Sequence, residues 1–115
     1  MQEEKTEALK TAYDYIKKLI LGIESVSNLI QVGKEVEGIK ELIPVLDGIE
    51  YVSKIIDLTK EVHIEEINLE ELNNQLKEII DAFENEDYVL LGDLLNYELI
   101  PIINNIQEKI NNSIK

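Results

Sequence analysis

The chain has 115 residues, 44% of them apolar, with no Cys, one His and a formal net charge of −13. That length bounds it to one domain with a single core, and the lack of thiols excludes disulfides and thiolate metal sites and fits a reducing cytoplasm. Every basic residue is Lys. There is no guanidinium fork for bidentate phosphate binding, and the acidic balance argues against nucleic acid and anionic membrane surfaces as partners.

The start, Met1-Gln2-Glu3-Glu4, is acidic and lacks the basic-then-apolar order of a signal peptide. No apolar run approaches the roughly 20 residues that span a bilayer. Periodicity predicts a first helix from about Glu3 to Gln31. Leu9, Ala12, Tyr13, Ile16, Leu19, Ile20, Ile23, Val26 and Ile30 recur on one broad face, with Leu21 opposite it. Gly33, followed by Lys34, stands where a C-terminal cap belongs.

A second helical region is expected over 34–62. Val36, Ile39, Leu42, Ile43, Leu46 and Ile49 share a face, and the stripe turns toward Val52 and Ile56 beyond Pro44. Proline removes the hydrogen bond to the carbonyl of Lys40 and crowds it, so a bend is expected at Pro44, with a break into two shorter helices as the alternative. Residues 61–68 read as a linker. Asn68 resembles an N-cap with Glu71 three residues on. The third helix then carries the stripe Leu69, Leu72, Leu76, Ile79, Ile80 and Phe83 and ends near Asn85-Glu86-Asp87. A fourth helix from about Asp87 to the C-terminus carries Leu91, Leu94, Leu95, Leu99, Ile102, Ile103, Ile106 and Ile110. Pro101 interrupts it, and its Asn-rich last turns are poor helix formers expected to fray.

The tetrapeptide Glu-Leu-Ile-Pro occurs twice, at 41–44 and 98–101, and contains the only two prolines. With Leu19, Ile23 and Ile49 matching Leu76, Ile80 and Ile106 at the same offset, it predicts two duplicated helical hairpins, 1–62 and 63–115. The expected fold is an all-α antiparallel four-helix bundle, with bends at Pro44 and Pro101. Its core should contain Ile16, Leu19, Ile20, Ile23, Ile39, Leu46, Leu72, Leu76, Ile79, Phe83, Leu91, Leu95, Ile102 and Ile106.

Chemistry finds little purchase. His63 has Glu61, Glu65 and Glu66 nearby, but Lys60 stands three residues before it and no second His exists. The Glu-x-x-His pairs of carboxylate di-metal bundles are therefore missing, and His63 reads as a solvated linker residue. Glu84, Glu86, Asp87 and Asp93 read as helix-capping acids rather than a calcium loop. Ser25, Ser27, Ser53 and Ser113 have no second His to serve as base. No catalytic, cofactor or metal residues are assigned, and an enzyme is not expected.

What remains is surface. Leu21, Val32, Tyr51, Ile55 and Ile100 fall off the main stripes, and Tyr15, Tyr88 and Tyr97 add amphipathic rings. Leu21, Tyr51, Ile55, Tyr88, Tyr97 and Ile100 are the candidate partner-binding residues. The function expected is a non-catalytic cytoplasmic bundle, adaptor or chaperone-like, that takes a protein partner such as an amphipathic helix. The alternative is a small carboxylate-based cation-binding protein or metalloenzyme. A weak homodimer is a further expectation, opposed by the net charge and favoured by salt.

The stretch from Asn85 to Pro101, NEDYVLLGDLLNYELIP, resembles the C-terminal half of an uncharacterised family of small acidic helical proteins from low-GC Gram-positive bacteria. The likeness extends more loosely through Glu37-Gly38 and Leu42-Ile43-Pro44. It implies an all-helical fold and brings no activity or site residues. A looser likeness, at the level of fold class alone, is to flagellar export chaperones.

Overall fold

The structure, a computed structural model, describes residues 2–115, so Met1 of the expected N-terminal segment lies outside the described residues. Three helices come first: α1 (Gln2–Gln31), α2 (Glu35–Leu58) and α3 (Glu70–Glu84). A short 3-10 turn, Lys60–Val62, lies between the last two. The fourth helix is one rod over residues 88–114, built from α4 (Tyr88–Asp93), a π-helical segment (Leu94–Leu99) and α5 (Ile100–Ile114). Among the described residues there is no strand, and the fold is an all-α bundle.

The helices run up, down, up, down. Lys5 Nζ reaches Glu61 Oε2 at 2.6 Å, so the end of α2 lies beside the start of α1. At the other end Ser27, buried in α1, donates to the carbonyl of Gly92 in α4 at 3.3 Å. The rod then descends until Ser113 Oγ accepts the backbone N–H of Ile64 at 3.1 Å. At about 1.5 Å per residue, α1 accounts for the whole long axis of a molecule whose Cα extents are 46 × 22 × 18 Å.

α1 is the spine. Leu9, Ala12, Ile16, Leu19, Ile23, Val26 and Ile30 are all buried along it. Each large one contributes roughly 1.5–3 kcal/mol of hydrophobic stabilisation. α2 covers one flank with Leu42, Val45, Ile49, Val52 and Ile56, and the C-terminal rod covers the other with Leu91, Leu95, Leu99, Ile103, Ile106 and Ile110. Gly48 of α2 lies against α1, where a Cβ would collide with the Tyr15 ring and Leu19. Its bare backbone lets the helices close, and Tyr15 then packs edge-on against Tyr51 with ring centroids 5.4 Å apart.

α3 joins mainly the rod, through Leu72, Ile79 and Ala82. Its inward face also carries Gln75, buried with its Nε2 lacking any hydrogen-bond partner in the protein.

The helix ends follow capping chemistry. α1 closes in a Schellman motif: Lys34 N–H donates to Leu29 O at 2.8 Å, Gly33 N–H donates to Ile30 O at 3.1 Å, and Gly33 has φ of 84°. α3 closes the same way, with Asp87 N–H on Ala82 O at 2.9 Å and Glu86 N–H on Phe83 O at 3.1 Å. There the left-handed position is held by Glu86, at φ 55°. Asp87, the N-cap of α4, accepts the N–H of Leu90 on Oδ1 at 3.2 Å. Asn68 Oδ1 accepts the N–H of Glu70 at 2.8 Å, but from one residue before the N-cap position of α3, which is Leu69 rather than the expected Asn68.

Several expectations need correction. α2 stops at Leu58, four residues early, because the chain tightens into the 3-10 turn after Thr59. The Asn-rich C-terminal turns are helical to Ile114, with Asn112 Nδ2 donating to Glu65 Oε2 at 3.3 Å. Phe83, expected in the core, is 39% exposed, and Ile80 of the same stripe 43%. Ile20, Ile39, Leu46, Leu76 and Ile102 are only half-buried, packed on the edge of the core. α2 runs unbroken through Pro44, so two shorter helices do not form. Before Pro101 the helix widens: Ile100 N–H donates to Leu95 O, five residues back. At Pro101 a π turn absorbs the crowding by inserting one residue, whereas at Pro44 the α-register is kept.

Two stability outcomes follow. Glu86→Gly should raise stability by about 1 kcal/mol, because a left-handed backbone costs a residue with a Cβ roughly 1–2 kcal/mol. Gln75→Met should also raise it, by about 1 kcal/mol, since it removes a buried donor without a partner while keeping the volume. Urea unfolding of each variant checks both.

Candidate functional site

The six residues expected to bind a partner are not one patch. Leu21 is 66% exposed and lies with Leu29 and Val32 in a shallow depression at the upper end of α1. Tyr51 is partly exposed but packs edge-on against Tyr15. Tyr97 is exposed in a different place, a cleft of about 620 Å3 between α3 and α5 whose walls include Asn74, Pro101 and Asn105. Ile55, Tyr88 and Ile100 pack against the core as half-buried residues.

The apolar surface that does converge lies between α2 and α3. These helices keep their Cα atoms more than 8 Å apart along nearly their whole length, while α1 is closely packed on both α2 and the rod. α3 packs on the rod mainly over residues 88–99, beyond which the cleft separates it from α5. The seam is lined by Ile39, Leu42, Ile43 and Leu46 from α2 and by Ile79, Ile80 and Phe83 from α3. No polar side chain lines it. Ile43 is 61% exposed, so both walls show apolar side chains to solvent beside Ile80 and Phe83.

Periodicity placed these residues on core stripes and so missed them. The readable clue was width. α2 and α3 carry apolar residues at adjacent positions, 42–43 and 79–80, and one of each pair must lie at the edge of the buried face. Which one has a neighbour to cover it depends on how far apart the helices stand.

His63 is not a free linker residue. Thr59, buried, gives its single hydroxyl proton to Ile55 O at 2.6 Å, and its Oγ1 lies 3.0 Å from His63 Nε2. Nε2 must therefore be the donor in that contact. The ring lines a depression with Asp57, Lys60, Glu65 and Glu66. Burial first, and the Lys60 charge second, push its pKa below the ordinary 6.5. Among the described residues, no three His, Asp or Glu side chains come together as a metal site would require. No helix is long and apolar enough to cross a membrane.

A four-helix bundle with an apolar seam between α2 and α3 and a more polar cleft between α3 and α5 is the class that this fold defines. Residues 7–109 match the model of the family described as a domain of unknown function, DUF8042, and the chain belongs to that family. This agrees with the resemblance to an uncharacterised family. No curated protein and no solved structure matches the chain.

The His63 environment sets a pH dependence. With the folded pKa lowered, the unfolded chain takes up the proton first, so stability is full above pH 6.5 and falls as pH drops below it toward the folded value. Glu61, whose pKa is lowered by its hydrogen bond to Lys5, loses its contribution only as pH falls below its ordinary 4.5. His63→Gln should flatten the first step and leave the second, as read by urea midpoints from about pH 3 to about pH 8.

Proposed function

We propose that this protein is a non-catalytic cytoplasmic binding module, of adaptor or chaperone kind, and that it engages another protein through the α2–α3 seam. The open seam carries this reading. Apolar side chains from two helices face solvent together there with no polar residue among them, whereas the cleft between α3 and α5 is lined largely by polar and charged side chains. Contiguous exposed apolar surface on a small domain is what protein interfaces use. The chemistry of the chain supports a binding role over catalysis. It has no thiol, and its single imidazole is engaged by Thr59. The lack of Cys suits the cytoplasm, and the charge suits neither nucleic acid nor an anionic bilayer.

A photo-crosslinking amino acid at position 43 or 80, introduced in the native cell, should give a discrete protein adduct. The same residue at exposed Lys18 should not. Ile43→Ser placed in the position-80 crosslinker protein should remove the adduct and change stability by less than about 1 kcal/mol, because Ile43 is mostly exposed already. Equal labelling from positions 18, 43 and 80 would count against the seam as the binding face.

A further inference from the structure

The charge of this protein is not evenly spread, and its distribution bears on what occupies the seam. α2 carries six carboxylates against two lysines, and α3 five against one, so the seam's two walls hold a net −8 of the chain's −13. α1, twice as long as α3, carries five carboxylates against four lysines, a net −1. The acidity is thus concentrated on the two helices that leave apolar residues uncovered.

We propose that the occupant of the seam is a cationic amphipathic helix of another protein; this rests on the seam being the binding face. Such a helix would lay a short apolar stripe over Ile43, Ile80 and Phe83 and set Lys or Arg residues over the flanking carboxylates. The lined part of α2, Ile39 to Leu46, is two turns long, about 10 Å at helical rise, which matches apolar anchors at i, i+3 or i+4, and i+7. Asp47 continues the exposed stripe one turn past Ile43, and Glu84 one turn past Ile80. Lys40 and Lys77 precede the same two isoleucines by three residues. The local rim is therefore mixed, and the preference for a cation comes from those further charges of the two walls that lie within a screening length, about 8 Å, of the seam.

The same distribution disfavours a second copy. A two-fold contact through this seam would bring two helix pairs of net −8 together, and like charges repel across an interface. An acidic or neutral amphipathic helix would gain the apolar contact without the electrostatic one.

The test uses three labelled peptides and the full chain, read by fluorescence anisotropy. One has a Leu stripe at helical spacing with Lys on its other faces, one the same stripe with Glu, and one the Leu/Lys composition scrambled to destroy the stripe. The Leu/Lys helix should bind at least about tenfold tighter than either of the others. The double variant Ile43→Ser/Ile80→Ser, with an unchanged melting curve, should lose about tenfold in that affinity. Lys77→Glu should tighten it, and added salt should weaken it.

Equal binding of the Leu/Glu helix would overturn the cationic assignment while leaving the seam as a protein-binding face. Equal binding of the scrambled peptide, or an indifferent double variant, would mean diffuse charge attraction and overturn the proposal. So would failure of all three peptides to bind, with the crosslinking result still deciding the broader reading. A dimer in sedimentation velocity that the double variant abolishes would identify a second copy as the occupant and overturn it as well.

Discussion

Everything in this molecule hangs on the apolar face of α1. That face is broad enough to need two partners, and α2 and the C-terminal rod supply them from opposite flanks. The burial of Leu9, Ile16, Ile23, Val26 and Ile30 against both fixes the spacing of the two flanking helices. α3 must then dock on what is left. It finds the rod, to which a tight capped turn already ties it, and it stands too far from α2 for the two backbones to close. The open seam is thus a consequence of how the spine is covered, rather than a separate feature added to a finished bundle.

The polar ties are few, and they sit at the ends. Ser27 to Gly92 joins the upper ends of α1 and α4, while Lys5 to Glu61 and Ser113 to Ile64 fasten the lower end. The exposed ion pair is screened and adds little to stability. Its effect is positional: it holds the 3-10 turn beside α1, where Thr59 and His63 meet. Between these ends the bundle depends on apolar packing, with Gln75 as the one unpartnered buried side-chain donor among the described residues.

The concentration of carboxylates on α2 and α3 has a structural side too. Like charges on two facing helices repel, and that repulsion opposes closure of the seam. The near-neutral α1 meets no such penalty and is packed on both flanks. Charge and packing therefore point the same way, toward a spine covered on both flanks and an α2–α3 face that stays available.

The fold class, the helix count and most of the spine were legible in the sequence, because a 3.6-residue apolar period over thirty residues leaves α1 no other way to bury its face. The caps at Gly33 and Asp87 were legible for the same reason, since each rests on contacts within a few residues. The surface was not. Phe83 and Ile80 look like core from their period, and only the distance to α2 exposes them; Ile55, Tyr88 and Ile100 look like surface, and neighbouring side chains cover them. The repeated tetrapeptide makes the same point. Glu-Leu-Ile-Pro is ordinary α-helix at 41–44, yet its second copy lies at the end of a π turn. Leu42 and Leu99 are buried in both, but Ile43 faces solvent where Ile100 packs against the core. Local sequence determines that a segment is helical and which residues share a face. Which face finds a partner, and what register the backbone adopts to reach it, depends on the separation of helices distant in sequence, and the tertiary structure alone decides that.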